Sequence, residues 1–585
     1  MNPQLDGPTH TPEGYPRGGQ GGTSPIRGVN GGGVSTPGHD RGTVSTRGVN
    51  GGGVSTPGHD RGTVSTRGVK GGASPVDGDE VDTPVANVDV LLGQSYFLRF
   101  DPKLWAAMQP YPPLGTLYAA SFLRARGYDV ALFDAMLAES ETEWDQALAR
   151  THPKVAVLYE DNFNYLSKMC LLRMREAALS MTRMARERGC TVIVAGSDAT
   201  DHAQTYLDAG ATYVLIGEGE ETLSELLDVV VRANNTPLED IQGLAYMRVG
   251  QLHVTPRRPD LKDLDALPFP AWDLVDIGRY RAIWLEHHGY YSMNVATSRG
   301  CPYHCNWCAK PIWGQRYHVR SAANVAAELE WLKQTFAPDH IWFVDDIFGL
   351  IPGWVEEFAD EVERRHAQLP FKSLQRADLI LKGNTIDALR RAGAQRIWVG
   401  AESGSQKILD AMEKGTHVED IYATAQRLHA AGIQVGFFLQ FGYPGESRQD
   451  IEKTLQMVRD CRPDDVGMSV SYPLPGTRFF TAVQHELGSK QNWQDSDDLA
   501  MLYNGPFSTA FYRWLHRVLH REFRAQRAWD ELRSSHPSVR RRLRLLAGIA
   551  HSKLALPALR LELERRARAP HKGLINLIPV EAASE

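Results

Sequence analysis

The sequence predicts an α/β protein: two parallel-sheet domains in series, followed by a helical C-terminal region. Three observations carry this prediction. Over residues 86–235, five short apolar runs alternate with helical stretches, the pattern of a doubly wound parallel sheet. Over 290–478, six further runs alternate with helices, enough for a partial (β/α)6 barrel and too few for a closed eight-stranded one. From 479 to 575, leucines recur among arginines at helical spacing.

Composition narrows the function before any motif is read. The chain has 585 residues, 42% hydrophobic and 23% charged, with a formal charge of −6. These values are ordinary for a globular protein, and no global field points to nucleic acid. No run approaches the roughly 18 apolar residues of a membrane span. The start lacks the basic-then-apolar layout of a signal peptide, so the expected location is the cytoplasm. Six cysteines in this length exclude a disulfide scaffold. Three of them lie within eight residues.

The first eighty residues hold 22 of the 53 glycines and one aromatic, Tyr15. RGVNGGGVSTPGHDRGTVST runs from Arg27 to Thr46 and again from Arg47 to Thr66. A repeat of this period can build a solenoid, but valines among glycines cannot offset the entropy of ordering. Residues 1–80 are therefore expected to be a disordered tail, or else the working protein begins near Val81.

In the first domain, VDVLLGQ (Val88 to Gln94) opens the strand series. DVALFDA, VAVLYE, TVIVAG and TYVLIGEGE follow, each after a helical stretch. Ligands of such sheets bind outside the carboxyl ends of the strands. Gly115, Glu160, Gly196, Ser197, Gly217, Glu218 and Gly219 stand there. No G-x-G-x-x-G follows the first strand, which argues against a dinucleotide site. Residues 236–289 read as a linker.

The second domain opens with SMNVATSRG (Ser292 to Gly300) and then CPYHCNWC, placing Cys301, Cys305 and Cys308 on one loop in C-x3-C-x2-C spacing. Thiolates suit iron–sulfur clusters, zinc and Cu(I). Structural zinc needs four ligands; His304 is the only nearby candidate and lies awkwardly between two of the cysteines. Three cysteines can hold three irons of a [4Fe–4S] cluster and leave the fourth open. The remaining barrel strands end at Asp345, Arg376, Glu402 and Ser403, and Gln440 and Gly442. For each of these alone the alternative is a structural ion pair or a turn.

The three-cysteine loop with Trp307 before its last cysteine resembles the radical S-adenosylmethionine (SAM) signature, and the likeness extends from about Met293 to Thr477. It implies a [4Fe–4S] cluster on Cys301, Cys305 and Cys308, with SAM chelated by the open iron and cleaved to a 5′-deoxyadenosyl radical. GAESGS (Gly400 to Ser405) and FGYPGE (Phe441 to Glu446) would then be SAM-binding strand ends, with Asp345, Arg376, Glu402, Ser403, Gln440 and Gly442 as cofactor contacts. YPPLGTLYAASFLRARGYDV and VIVAGSDATDHAQTYLDAGATYVLIGEGEETL resemble the cobalamin-binding domain that precedes many radical SAM enzymes. That likeness makes Gly115, Gly196, Ser197, Gly217, Glu218 and Gly219 cobalamin contacts. The D-x-H-x-x-G motif of other cobalamin proteins is absent, since Asp201–His202 has the wrong spacing. Any bound cobalamin would lack a histidine lower ligand.

The resemblance implies C-methylation of an unactivated carbon in a small-molecule substrate, with an electron donor such as flavodoxin or ferredoxin. Oxidative cyclisation or rearrangement without methyl transfer, as in anaerobic porphyrin cyclases, is the alternative. A non-catalytic iron–sulfur or zinc protein is the reading from another class. The tail, 513–572, carries sixteen Lys/Arg against five Asp/Glu. It is expected to pack on the barrel with a solvated charged face, in preference to lying on a membrane surface.

Overall fold

The computed structural model describes residues 87–169, 171–308, 312–487, 494, 499–534 and 537–568. The glycine-rich repeat and Cys170 lie outside them.

The first sheet contains β1 (Val90–Gly93), β2 (Val130–Phe133), β3 (Val155–Tyr159), β4 (Thr191–Ala195), β5 (Tyr213–Leu215), β6 (Leu244–Arg248) and β7 (Gln251–Val254). Its order is β2-β1-β3-β4-β5-β6-β7, with β1 to β5 parallel. β1 and β3 are buried along their whole length, as unbroken apolar runs require when helices cover both faces. The order reverses between β1 and β3, so the ligand crevice of this sheet type opens there.

Part of the expected linker is sheet. β6 and β7 form an antiparallel hairpin that extends the edge beyond β5. Val249 and Gly250 turn the chain with φ of 50° and 75°, the doubly left-handed geometry of a two-residue hairpin. Valine is a poor turn former, which hides this hairpin in the sequence. The helix Ile277–His288 then buries Tyr280 and Trp284.

The second sheet has β8 (Ser292–Val295), then, past a two-stranded ribbon of β9 (Ser298–Arg299) and β10 (His318–Val319), β11 (His340–Phe343), β12 (Phe371–Gln375), β13 (Ala394–Glu402), β14 (Gln434–Phe441) and β15 (Asp465–Val470). All six main strands are parallel, in the order β15-β14-β13-β12-β11-β8. This is the open barrel that the alternation predicts. Ile397, Val399, Val435 and Phe437 point outward into the helical layer and are fully buried. The opposite face of β13 and β14 carries Trp398 stacked on Phe438 at 4.5 Å. Phe438 is 39% exposed, so the barrel keeps an open, apolar inner wall.

The two sheets meet through the YPPLG loop. Asn294 Nδ2 donates to the Pro112 carbonyl (3.0 Å), Trp284 Nε1 to the Pro110 carbonyl (2.7 Å), and Tyr111 shares a hydrogen bond with Ser292 (2.9 Å). Beside them Arg320 is buried. It pairs with Glu328 and donates to the Ala296 carbonyl (2.9 Å) and the Tyr118 hydroxyl (3.2 Å). The C-terminal region contributes helices Arg478–Leu487, Thr509–Ser534 and Val539–Ala567.

Removing one member of a buried ion pair leaves the other charge uncompensated. Glu328→Ala is therefore expected to destabilise the interface by about 3–5 kcal/mol, read as a lower urea midpoint. Glu328→Gln, which keeps an acceptor for Arg320, should cost less.

Candidate active site

The cysteine loop is fixed at its base. β9 and β10 pair across it, and Gly300 turns into Cys301 with φ of 81°. A Cβ on Gly300 would collide with the Arg316 carbonyl, so only glycine fits. Cys301 and Cys305 are buried and Cys308 is half-buried. Further along, Asn306 clamps the loop to the barrel. Its N–H donates to the Met412 carbonyl (3.1 Å), its Nδ2 donates to the Ala411 carbonyl (2.8 Å), and its Oδ1 accepts from the Tyr443 hydroxyl (2.8 Å). Among the described residues no three Cys, His, Asp or Glu side chains converge as the ligands of one ion. Cluster ligands differ from these in that each thiolate holds its own iron.

Two of the sequence-predicted residues support this loop. Asp345 is buried beneath it, and its Oδ1 accepts from the backbone and hydroxyl of both Thr297 (2.9 and 2.9 Å) and Ser298 (2.5 and 2.6 Å). Burial raises its carboxyl to about 6 despite these bonds. Arg376 stacks over the Tyr303 ring at 3.7 Å. Its donors go to Asp378 (2.9 Å), the Lys414 and Gly415 carbonyls (2.9 and 3.2 Å) and Thr416 (3.2 Å). The guanidinium expected as a cofactor contact thus spends these donors within the chain and braces the loop through Tyr303.

Glu402 has φ of 55° at a bulge in β13, a strained conformation that tends to mark functional sites. Its Oε1 accepts from Lys414 Nζ at 2.8 Å. Burial pulls the Lys414 ammonium down, but Glu402 and the Cys305 thiol outweigh it and hold its pKa above the usual lysine value. Lys414 thus keeps a positive charge beside Cys305. The sequence alone gave no hint of Lys414.

Ser403, Gln440 and Gly442 stand one step further out. The Ser403 hydroxyl meets Thr454 (3.2 Å) and Gln440 Nε2 donates to Ser471 (3.0 Å). Gly442 lies under the C-terminal region: Tyr503 donates to its carbonyl, and a Cβ there would sit 3.0 Å from the Met501 sulfur. Its N–H donates to Glu446 at 2.7 Å. Among the described residues, Asp345 Oδ2, Gln375 Nε2 and Trp307 Nε1 are buried near these strand ends without a hydrogen-bond partner. They fit a polar ligand lying across the ends.

The second group of predicted residues lines the crevice of the first sheet. At the switch between β1 and β3, Glu160 accepts from the Ser95 N–H at 3.1 Å on each oxygen. Asp161 Oδ1 accepts from the Gly115 N–H (2.9 Å). The Ser197 hydroxyl donates to the Lys168 carbonyl (3.2 Å). The glycines here face the chain's own side chains. A Cβ at Gly196 would lie 2.7 Å from that of Glu160, one at Gly217 3.1 Å from Arg257 Nε, and one at Gly219 2.9 Å from the Tyr159 ring. Among the described residues, buried polar atoms without partners again ring the crevice: Gln94 Nε2, Asn162 Oδ1, Ser167 Oγ and Glu220 Oε2. A ligand with many amides matches that set.

One contact unites the two groups. Arg299, two residues before Cys301, is buried and forks onto Glu218 and Glu220 (2.8 Å to the latter). Burial works against its charge, but the two carboxylates outweigh it and hold it protonated. Trp313 Nε1 donates to Glu218 (3.0 Å), and the rings of Tyr118, Phe163 and Trp313 stand within 5.9 Å of the guanidinium. Lys168 and Asp346 add a second bridge at 2.5 Å.

A sheet crevice and a three-thiol loop at open-barrel strand ends are joined by a buried ion cluster. The comparisons give the chemistry. Residues 295–458 match the radical SAM superfamily, so the chain carries a radical SAM domain and is an enzyme using a [4Fe–4S] cluster and SAM. It is 26% identical over 396 residues to an uncharacterised methyltransferase of Pyrococcus horikoshii, covering 66% of this chain and 81% of that one. It is 25% identical to the anaerobic magnesium-protoporphyrin IX monomethyl ester cyclase of Rubrivivax gelatinosus, over 65% and 67% of the two chains. Its fold is shared with the radical SAM methyltransferase TsrM of Kitasatospora setae, solved with cobalamin and a [4Fe–4S] cluster bound (TM-score 0.56, 19% identity, 68% and 77% covered).

The buried Glu446 gives a pH prediction. Burial raises its carboxyl from 4.5 to about 8. Between those values the native state holds a proton that the unfolded chain has lost, so stability falls as pH rises. Glu446→Gln removes that titration. Its stability relative to wild type should be level near about pH 4 and gain on the order of 3–5 kcal/mol by about pH 9, measured by urea melts at both.

Proposed function

We propose that the chain is a cobalamin-dependent radical SAM methyltransferase acting on an unactivated carbon of a small molecule. The observation that carries this reading is the joining of the three-thiol loop to the switch-point crevice through Arg299, Glu218 and Glu220. When bound, the cluster and SAM supply a 5′-deoxyadenosyl radical, and cobalamin supplies the methyl group.

The chain's own residues bind, orient and exclude water. Cys301, Cys305 and Cys308 hold the cluster, Lys414 keeps positive charge beside Cys305, and Arg376 with Tyr303 and Asn306 fixes the loop. Glu402, Asp345, Ser403, Gln440 and Gly442 shape the SAM side. The unpartnered polar atoms beyond β1, β3 and β5 would meet cobalamin's amides, with Gly115, Gly196, Ser197, Gly217, Glu218 and Gly219 forming the crevice wall. That crevice is narrow, because Phe163 and Trp313 close to 5.2 Å across it, so cobalamin entry requires these rings to part. Trp398 and Phe438 offer an apolar wall to the substrate inside the barrel. An external electron donor such as flavodoxin or ferredoxin completes the cycle. The domains implied are 86–235 for cobalamin, 290–478 for the radical core and 479–575 as an accessory cover, on which Tyr503 and Met501 already close over Gly442. Oxidative cyclisation remains the second reading, favoured by the likeness to the magnesium-protoporphyrin cyclase.

Any one of Cys301→Ala, Cys305→Ala or Cys308→Ala should abolish iron–sulfur absorbance and 5′-deoxyadenosine formation after anaerobic reconstitution. Cys190→Ala and Cys461→Ala should leave both intact. S-adenosylhomocysteine accumulating beside 5′-deoxyadenosine marks methyl transfer; 5′-deoxyadenosine alone would favour cyclisation.

A further inference from the structure

The long C-terminal helix Val539–Ala567 has two apolar faces, and one is open. Leu545, Ile549 and Leu563 are buried, and Arg541 and Arg560 pair with Glu531 and Glu522 of the neighbouring helix. On another side Val539, Leu543, Leu546, Ala550 and Leu554 fall at i, i+4, i+7, i+11 and i+15. At 3.6 residues per turn they share an arc of about 80°, and Leu561 continues the line past Pro557. They are exposed, Val539 by 75%, Leu543 by 62%, Leu554 by 82% and Leu561 by 74%. A solvated charged face, the expectation from the sequence, would not carry such a row.

The charges beside the row are one-sided. Residues 537–568 contain nine Lys/Arg and two Glu. The cations that face the protein are paired, as above. Among the described residues, Arg540, Arg542, Arg544 and Lys553 have no carboxylate partner. These unpaired cations flank the open apolar row. An apolar stripe edged with basic side chains suits the plane between headgroups and acyl chains of an anionic bilayer. No helix among the described residues is long and apolar enough to cross a membrane, so this helix would lie in the surface. A second copy of the chain fits less well, since the same unpaired arginines would face each other.

We propose that the open face of Val539–Ala567 docks on an anionic membrane surface. The leucines enter the acyl boundary and Arg540, Arg542, Arg544 and Lys553 meet lipid phosphates. The docking needs neither cluster nor cobalamin and stands apart from the proposed chemistry.

Co-sedimentation of the full chain with vesicles tests it. Binding to equal parts phosphatidylglycerol and phosphatidylcholine should exceed binding to phosphatidylcholine alone at least about tenfold and weaken with salt. The exposed-face double variant L543E/L554E should lose about tenfold or more of that binding while keeping its helical circular dichroism. R540Q/R542Q/R544Q should lose the preference for anionic vesicles. No vesicle binding by the wild type, or equal binding by L543E/L554E, overturns the proposal. So does a dimer in sedimentation velocity that L543E/L554E converts to monomer, which would assign the face to a second copy. Binding that appears only when residues 569–585 are deleted would assign it to the chain's own end.

Discussion

Arg299 is buried between Glu218 and Glu220, two residues before Cys301. A charge in that position is tolerable only because two carboxylates and three aromatic rings replace the water it has lost. The consequence reaches both sheets. The carboxylates sit at the end of β5, so the first sheet must hold its crevice against the barrel for the ion cluster to close. The guanidinium sits at the base of the cysteine loop, so the loop's register is set by the same contact. Movement of either side would expose or strand a buried charge.

Much of the fold was legible in the sequence because it is written in local patterns. Unbroken apolar runs such as VAVLY and TVIVA can be buried only in a parallel sheet with helices on both faces. The three cysteines were equally legible, since their chemistry lies within eight residues. The supports of the site were not. Arg299 and Glu218 are 81 residues apart, and Asn306 and Tyr443 are 137 apart. Nothing local marks either pair, and only the folded chain brings them together. The β6–β7 hairpin escaped notice because its turn begins with valine, which ordinarily resists a left-handed backbone.

The predicted strand-end residues divide by what the fold asks of them. The resemblance makes Asp345 and Arg376 cofactor contacts, yet Asp345 Oδ1 is taken up by Thr297 and Ser298 ahead of the thiol loop, and Arg376 donates to Asp378 and residues 414–416 while stacking on Tyr303 of that loop. Such spending is physically sensible: a loop with three metal ligands needs a rigid frame, and buried charges satisfied by backbone groups provide one. Glu402 differs: its backbone is strained, and it pairs with Lys414, the cation that interacts with Cys305. The glycines of the first sheet likewise admit the chain's own side chains, leaving single buried atoms without a partner among the described residues, Gln94 Nε2, Asn162 Oδ1 and Glu220 Oε2, as the groups that a ligand would satisfy.

On the proposed function, cluster and corrin would lie on the two sides of the Arg299 ion cluster. Electron paramagnetic resonance of the anaerobic holoprotein tests it most directly, with the cluster reduced and cobalamin in its cob(II) state. Two paramagnets across one buried side chain should broaden each other's spectra, and the broadening should vanish when either centre is made diamagnetic. A spectrum that is the simple sum of an isolated cluster and an isolated cob(II)alamin would contradict the account.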